Sequence, residues 1–148
     1  MKPILANSCA HAATAEEARF RITREIGSRA ALILALDADA ADVVDRVAER
    51  PWGAARFFHA DGLSTQQLES ELEDADVAIM VATADADGEA AAEIARACAE
   101  RGIMTAGLIL GDHLQVAAAV AALRPYARNL MVTTDEDDVA EVLRALRA

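Results

Sequence analysis

The chain has 148 residues, which fits one domain spanning 1–148, and a net charge of −11, which disfavours nucleic acid and anionic membranes as partners. The charge is uneven, because residues 1–30 carry five basic and three acidic side chains while residues 31–148 carry nine and twenty-two. Alanine fills 37 positions and only five residues are aromatic, so a stacking platform for single-stranded nucleic acid is not expected.

The lack of a recognisable targeting signal and the small number of cysteines favour the cytoplasm as the location. The N-terminus has no secretory apolar region, and no apolar run approaches the roughly 20 residues of a membrane span. Cys9 and Cys98 are the only cysteines, too few for a disulfide framework. We therefore expect a cytoplasmic protein with reduced thiols, and we expect Cys98, on the apolar side of a predicted helix, to lie in the core.

Short apolar runs alternate with helical patterns along the chain. Strands are predicted at residues 3–6, 31–36, 56–59, 77–82, 104–110 and 129–133, and a helix precedes the second strand at about 15–26. This alternation predicts an α/β fold of three layers, a doubly wound (Rossmann-like) parallel sheet of five or six strands with helices on both faces. If residues 3–6 do not pair, the sheet has five strands and residues 1–29 form a separate helical segment.

Helix boundaries are marked by capping residues. Ser64 with Gln67 predicts a capping box, as does Thr14 with Glu17, and Gly102 predicts a left-handed helix end. Aspartates that stand between a strand and a helix are favourable N-caps. We assign this role to four of them, Asp39, Asp87, Asp112 and Asp135.

The carboxyl ends of the strands are the predicted binding edge, because open parallel sheets bind ligands there. Acidic residues follow five of the six strands, and all three histidines lie at this edge. Converging carboxylates suit a divalent cation, while Cys9 with His11 suits a nucleophile and its base; His59 and His113 are candidates for proton transfer. The candidate ligand-binding residues are Asn7, Ser8, Cys9, His11, Asp37, Asp39, Thr83, Asp85, Asp87, Gly88, Asp112 and His113.

A basic cluster lies in the predicted N-terminal helix, at Arg19, Arg21 and Arg24. Such a cluster is commonly a solvated helix face. It also suits docking on an acidic surface, either of another protein or of a second copy of this chain. A homo-oligomer is therefore one of the partner hypotheses.

Residues 75–111, which read as strand, tight loop, helix and strand, resemble the nucleotide-binding half of the FtsZ/tubulin family. The resemblance extends to residues 2–6, to 31–39, to 76–84, to 93–102, and to 121–124 with 129–132. It implies a Rossmann-like nucleotide domain whose loop at Thr83 to Gly88 would hold phosphate.

The phosphate loops of that family are altered in this chain. Residues 7–12 contain no glycine, and the second loop, Ala84-Asp85-Ala86-Asp87-Gly88, keeps one. Glycines let backbone N–H groups approach phosphate, and aspartates repel it. We therefore expect a non-catalytic binding or assembly module that has lost GTPase activity. The alternative is a small enzyme, or a metal- or metabolite-binding protein, that uses the acidic edge.

Receiver domains are a second possible resemblance, since they are also doubly wound five-stranded domains of similar length. They require a lysine after the last strand. The only lysine here is Lys2, so the receiver hypothesis fails.

Overall fold

The computed structural model describes residues 30–148, in which five strands alternate with five helices. The elements in chain order are β1 (Ala31–Ala35), α1 (Ala38–Ala48), β2 (Ala55–His59), α2 (Thr65–Glu73), β3 (Val77–Ala82), α3 (Gly88–Glu100), β4 (Met104–Leu110), α4 (Ala117–Leu123), β5 (Asn129–Thr133) and α5 (Asp137–Ala145). A single 3₁₀ turn, Ala60–Gly62, follows β2. The predicted strand at 3–6 and helix at 15–26 lie outside the described residues.

All neighbouring strands of the sheet are parallel, in the order β2-β1-β3-β4-β5. This confirms the predicted α/β doubly wound sheet. The chain moves from β1 outward to β2 and then returns past β1 to β3, so the direction of winding reverses between β1 and β3. In sheets of this order, that reversal leaves a crevice at the carboxyl ends of the two strands.

Helices cover both faces of the sheet. On one face α1 and α5 pack against alternate residues of the central strands, including Ile33, Ile79 and Leu108. On the opposite face α2, α3 and α4 pack against the intervening residues, such as Leu34 and Met80. The residues of β1 and β3 are buried without exception, which explains why their sequences are apolar throughout rather than alternating.

The helix ends show which side chains satisfy the free backbone groups. Ser64 and Gln67 form the predicted capping box at the start of α2. Gly102 has φ of 70°, and the N–H of Ile103 donates to the carbonyl of Cys98 at 3.1 Å, as in a left-handed helix end. Both predictions are confirmed.

The four predicted aspartate caps have different outcomes. Asp87 caps α3, and the carboxylate of Asp135 accepts the N–H of Asp137 at the start of α5. Asp39 does not cap α1: β1 ends at Ala35, one residue earlier than predicted, so the helix begins earlier and Asp37 caps it. Asp112 does not cap α4 either. It closes a turn through the N–H of Leu114, and the helix begins only at Ala117.

Burial of Cys98 agrees with its predicted place on the apolar side of α3, where it lies with residues of α2 and β1. Its side chain is completely buried. Loss of hydration raises the pKa of the thiol to about 11. Within residues 30–148, no helix is long and apolar enough to cross a bilayer.

Candidate functional site

A cleft of about 650 Å³ opens at the carboxyl edge of the sheet, beside the reversal between β1 and β3. Its lining comes from the loops after β1, β3 and β4. The polar lining residues are Asp39, Thr83, Asp85 and Gln115, and Gly111 forms part of the wall. Three of the predicted site residues therefore meet here, at the position that the topology favours.

A second hollow of about 390 Å³ continues this cleft towards α5 and shares Asp39, Thr83 and Gly111 with it. Its cation, Arg46, forms two hydrogen bonds with Glu136, from Nε to Oε2 at 3.2 Å and from Nη2 to Oε1 at 2.6 Å. This contact raises the pKa of Arg46. Because the guanidinium is already paired with a carboxylate, it is a poor anchor for an incoming anion.

Asp37 ties β1 to β3 instead of facing the cleft as a free ligand. One carboxylate oxygen accepts the N–H of Thr83 at 2.7 Å. The other accepts the hydroxyl of Thr83 at 2.9 Å and the N–H of Ala40 at 2.8 Å. The same carboxylate thus caps α1 and fixes the loop after β3. Asp37 and Thr83 were predicted as ligand residues, and the structure gives both of them this connecting role.

The N-terminus of α3 is occupied by the chain's own carboxylate. Asp87 Oδ1 accepts the N–H of Glu89 at 2.9 Å and that of Ala90 at 3.3 Å. Free N–H groups at a helix start are what binds a phosphate. In this chain an aspartate takes two of them, so the helix end has less to offer an external anion.

The two glycines near the cleft have different roles. Gly111 has φ of 143°, and a Cβ at this position would lie 2.8 Å from Cγ1 of Val116. Gly88 has no left-handed backbone, and a Cβ there would meet its nearest atom, Cβ of Ala122, at an ordinary 3.6 Å. Gly111 is therefore required by the turn after β4. The position of Gly88 tolerates a side chain, unlike a glycine that must approach phosphate.

The two described histidines lie on opposite sides of the molecule. His59, at the end of β2, contacts Asp45 through Nε2 at 2.8 Å. His113 lines a separate groove between α4 and β5, together with Arg124 and Arg128. The structure does not bring these side chains to the cleft that contains Asp85, so they do not form a shared acid–base site there.

The carboxylates at the edge do not gather into a cluster of metal ligands among residues 30–148. Within residues 30–148, no group of three or more His, Cys, Asp or Glu side chains is placed to hold a metal ion. Asp87 and Asp112 are engaged by local backbone N–H groups. Asp39 and Asp85 line the cleft, so its field is negative.

Some predicted residues lie outside the described part of the chain, and some residues that border the cleft were not predicted. Asn7, Ser8, Cys9 and His11 lie outside the described residues, as do Arg19, Arg21 and Arg24. Conversely, Gln115, Arg46 and Glu136 border the two hollows but were not predicted. Arg46 and Glu136 are 90 residues apart in the chain, and no local pattern signals their pairing.

No protein-family model matches the chain, and no curated protein matches it.

Proposed function

We propose that the chain is a non-catalytic binding or assembly module, built on a scaffold similar to the nucleotide-binding half of the FtsZ/tubulin family and without its GTPase activity. The observation that carries this proposal is the Asp87 carboxylate bound to the N-terminus of α3. In a nucleotide-binding loop, this is where a phosphate would receive backbone hydrogen bonds.

The negative charges of nearby carboxylates also oppose the binding of a phosphate. A nucleotide phosphate would have to displace the carboxylate of Asp87 and approach Asp85 and Asp39, both of which line the cleft. Like charges within a few ångströms disfavour one another, most strongly where water is excluded. Arg46 offers little compensation, because Glu136 already pairs with it.

Calorimetric titration of the full chain with GTP, GDP and ATP tests the loss of nucleotide binding. We expect no saturable heat, which corresponds to a Kd of about 1 mM or weaker. A ligand that binds only the folded state raises the melting temperature. Because we expect no nucleotide to bind, the melting temperature should stay unchanged in the presence of each of them. A micromolar Kd for any of the three nucleotides would contradict the proposal.

A second candidate function is the binding of a cation in the same cleft, either a divalent metal ion or a small organic amine. It is favoured by the carboxylates of Asp39 and Asp85, whose side chains accept no hydrogen bond from residues 30–148. Oxygen ligands of this kind suit Mg²⁺ and Ca²⁺. A protein of this kind would be a small enzyme or a metabolite-binding protein.

A thermal-shift series with Mg²⁺, Ca²⁺ and a diamine tests this second candidate. A bound cation should raise the melting temperature of the wild-type chain, and Asp85→Asn should abolish the rise. The matched control is Asp61→Asn, which removes an exposed carboxylate after β2 that does not line the cleft. An equal response in all three proteins would indicate general screening of the net charge and would exclude a site at Asp85.

A further inference from the structure

Within residues 30–148, β5 forms one edge of the sheet, and some of its backbone groups have no partner among these residues. Arg128, just before the strand, donates its N–H to Thr105 of β4 at 2.8 Å. At the other end, the N–H of Gly111, just after β4, donates to the carbonyl of Thr133 at 2.9 Å. Successive residues of a strand direct their N–H and C=O groups to alternate sides, so those of Asn129 and Met131 face β4 like those of Thr133, and those of Leu130 and Val132 are directed away from it. Such a row of groups is a template for another strand.

The side chains of this edge do nothing to prevent pairing. The strand reads Asn-Leu-Met-Val-Thr, with no charge and no proline, and Met131 is 39% exposed. Proteins usually protect an edge with lysine, proline or inward charges. The opposite edge, β2, does carry charged side chains: Arg56 pairs with Glu71, and His59 pairs with Asp45.

The sequence of β5 complements itself when a second copy runs antiparallel to it with Met131 opposite Met131. In this register Leu130 faces Val132 of the other copy, and Asn129 faces Thr133, so apolar residues meet apolar ones and polar residues meet polar ones. Leu130 and Val132 of the other copy would exchange their outward backbone hydrogen bonds, and the two Met131 residues would face each other as a non-hydrogen-bonded pair.

The charges at the two ends of the strand are also complementary in this arrangement. Arg124 and Arg128 precede β5, and neither forms an ion pair with a carboxylate of residues 30–148. Asp135 follows β5 and is likewise without an ion pair among the described residues. The antiparallel register places Arg128 opposite Thr134 and next to Asp135 of the other copy. Parallel pairing would bring the two basic ends together.

Two grooves, one on each side of the edge, extend the surface that a second copy would cover, and both have apolar residues in their walls. A hollow of about 670 Å³ lies towards α4, with Val120, Leu130 and Val132 in its wall. Another of about 270 Å³ lies towards α5, beside Met131 and Leu146. A stable interface commonly covers about 800 Å² on each partner, more than one short strand provides. The two grooves supply the additional apolar area.

We propose that two copies of this chain associate through their β5 strands, antiparallel about a two-fold axis at Met131, so that the two five-stranded sheets of residues 30–148 join edge to edge. The proposal rests on the proposed assembly function and names the surface and the partner. Loss of nucleotide binding is measured independently. A monomer that binds no nucleotide would therefore overturn this inference and leave the absence of nucleotide binding untouched.

Cysteine cross-linking of the full chain tests the register. In a Cys9→Ser background, Met131→Cys should give a covalent dimer on mild oxidation, because the Cα atoms of a non-hydrogen-bonded antiparallel pair lie about 4.5 Å apart, within the range of a disulfide. The matched control is Leu114→Cys, since Leu114 is 90% exposed but lies outside β5. Cross-linking at 131 that does not exceed that at 114 would overturn the proposed register.

Light scattering on the uncross-linked protein tests the interface itself. We expect the wild-type chain to be a dimer at about 100 μM, well above a micromolar Kd. Met131→Lys and Arg128→Asp should each give a monomer that still melts cooperatively, and Arg128→Asp combined with Asp135→Arg should restore the dimer. A monomeric wild-type protein, or a dimer that persists in Met131→Lys, would refute the proposal.

Discussion

Asp37 shows how a single side chain at a strand end can hold several elements of the fold together. Its carboxylate connects the start of α1 with both the N–H and the hydroxyl of Thr83. A sequence pattern reports that an aspartate follows a buried strand, and this is equally true of a cap, a tie between strands and a metal ligand. The identity of its partner, 46 residues away, decides between these roles.

Removal of the Asp37 carboxylate should therefore destabilise the fold. We expect Asp37→Ala to lower the free energy of unfolding by about 2–3 kcal/mol, because α1 loses its cap and the Thr83 groups lose their acceptor. Asp39→Ala should change it by less than about 0.5 kcal/mol, since Asp39 is exposed and caps nothing. Urea denaturation measures both variants. Equal effects would show that Asp37 does not hold the two strands together.

Cys98 gives a second prediction at this scale, because burial raises its pKa to about 11. An unfolded thiol has a pKa of about 8.5, so the folded state binds more protons between pH 8.5 and 11 and stability must fall as the pH rises through this window. The fall should reach about 2–3 kcal/mol at pH 11, and below pH 8 this group should cause no slope.

The Cys98 contribution is isolated by comparing Cys9→Ser with Cys9→Ser/Cys98→Ala in urea denaturation at pH 8, 9.5 and 11. Tyrosine, lysine and arginine titrate equally in the two proteins, so the difference between their pH slopes belongs to Cys98. Parallel slopes in the two proteins would contradict the prediction.

At the scale of elements, the junctions that lead into α3 and α4 depend differently on glycine. Gly111→Ala should cost about 1–3 kcal/mol, because alanine rarely adopts a φ of 143° and its Cβ would press on Val116. Gly88→Ala, by contrast, should be neutral or stabilise by up to about 1 kcal/mol, since helix α3 begins at that residue and space is available. Thermal unfolding of the two variants measures this. A large loss in Gly88→Ala would indicate a constraint at the α3–α4 contact.

Elements with simple local signals could be predicted from the sequence. The bounds of β3, β4 and β5 agree with the prediction, because each is a β-rich run set between clear turn or helix signals. The start of α4 could not be placed: Asp112 has the sequence of a cap but closes a separate turn, and the helix begins five residues later without a side-chain cap.

The arrangement of the acidic edge was less accessible to sequence reasoning. The prediction correctly placed Asp39, Thr83 and Asp85 at one edge, since the carboxyl ends of parallel strands meet there. It could not separate His59 from His113, because the order of strands depends on tertiary pairing that local patterns do not encode. The same limit hid the pairing of Arg46 with Glu136.

At the scale of the whole molecule, the strand order β2-β1-β3-β4-β5 identifies a cleft but not a reaction. This order is shared by flavodoxin-like proteins with unrelated activities. The charges of the edge discriminate further, because a negative cleft with self-capped helix starts favours cations or proteins over phosphates. Within residues 30–148, the sequence of β5 complements itself in an antiparallel register, and this is why a second copy of the chain is proposed as the partner.

The division of the chain at residue 30 can be tested on the same scale. The described residues supply all five strands of the sheet and helices on both of its faces, and Ala30 is tied to Asp76 at the start of β3. We therefore expect residues 30–148 alone to fold, with cooperative thermal unfolding and a melting temperature within about 5 °C of that of the full chain, which is a loss of roughly 1 kcal/mol.

A decrease in melting temperature of more than about 5 °C would indicate that residues 1–29 contribute to the stability of the core. Such a contribution would cover the groove between α2 and α3, whose apolar lining is Leu34, Leu63, Leu68 and Ile94. Leu68→Ser distinguishes the two outcomes. If residues 1–29 cover the groove, this substitution destabilises the full chain much more than the shortened one, whereas an open groove gives equal, small effects in both. Equal effects together with a cooperative transition would establish that the five-stranded sheet folds as an independent unit.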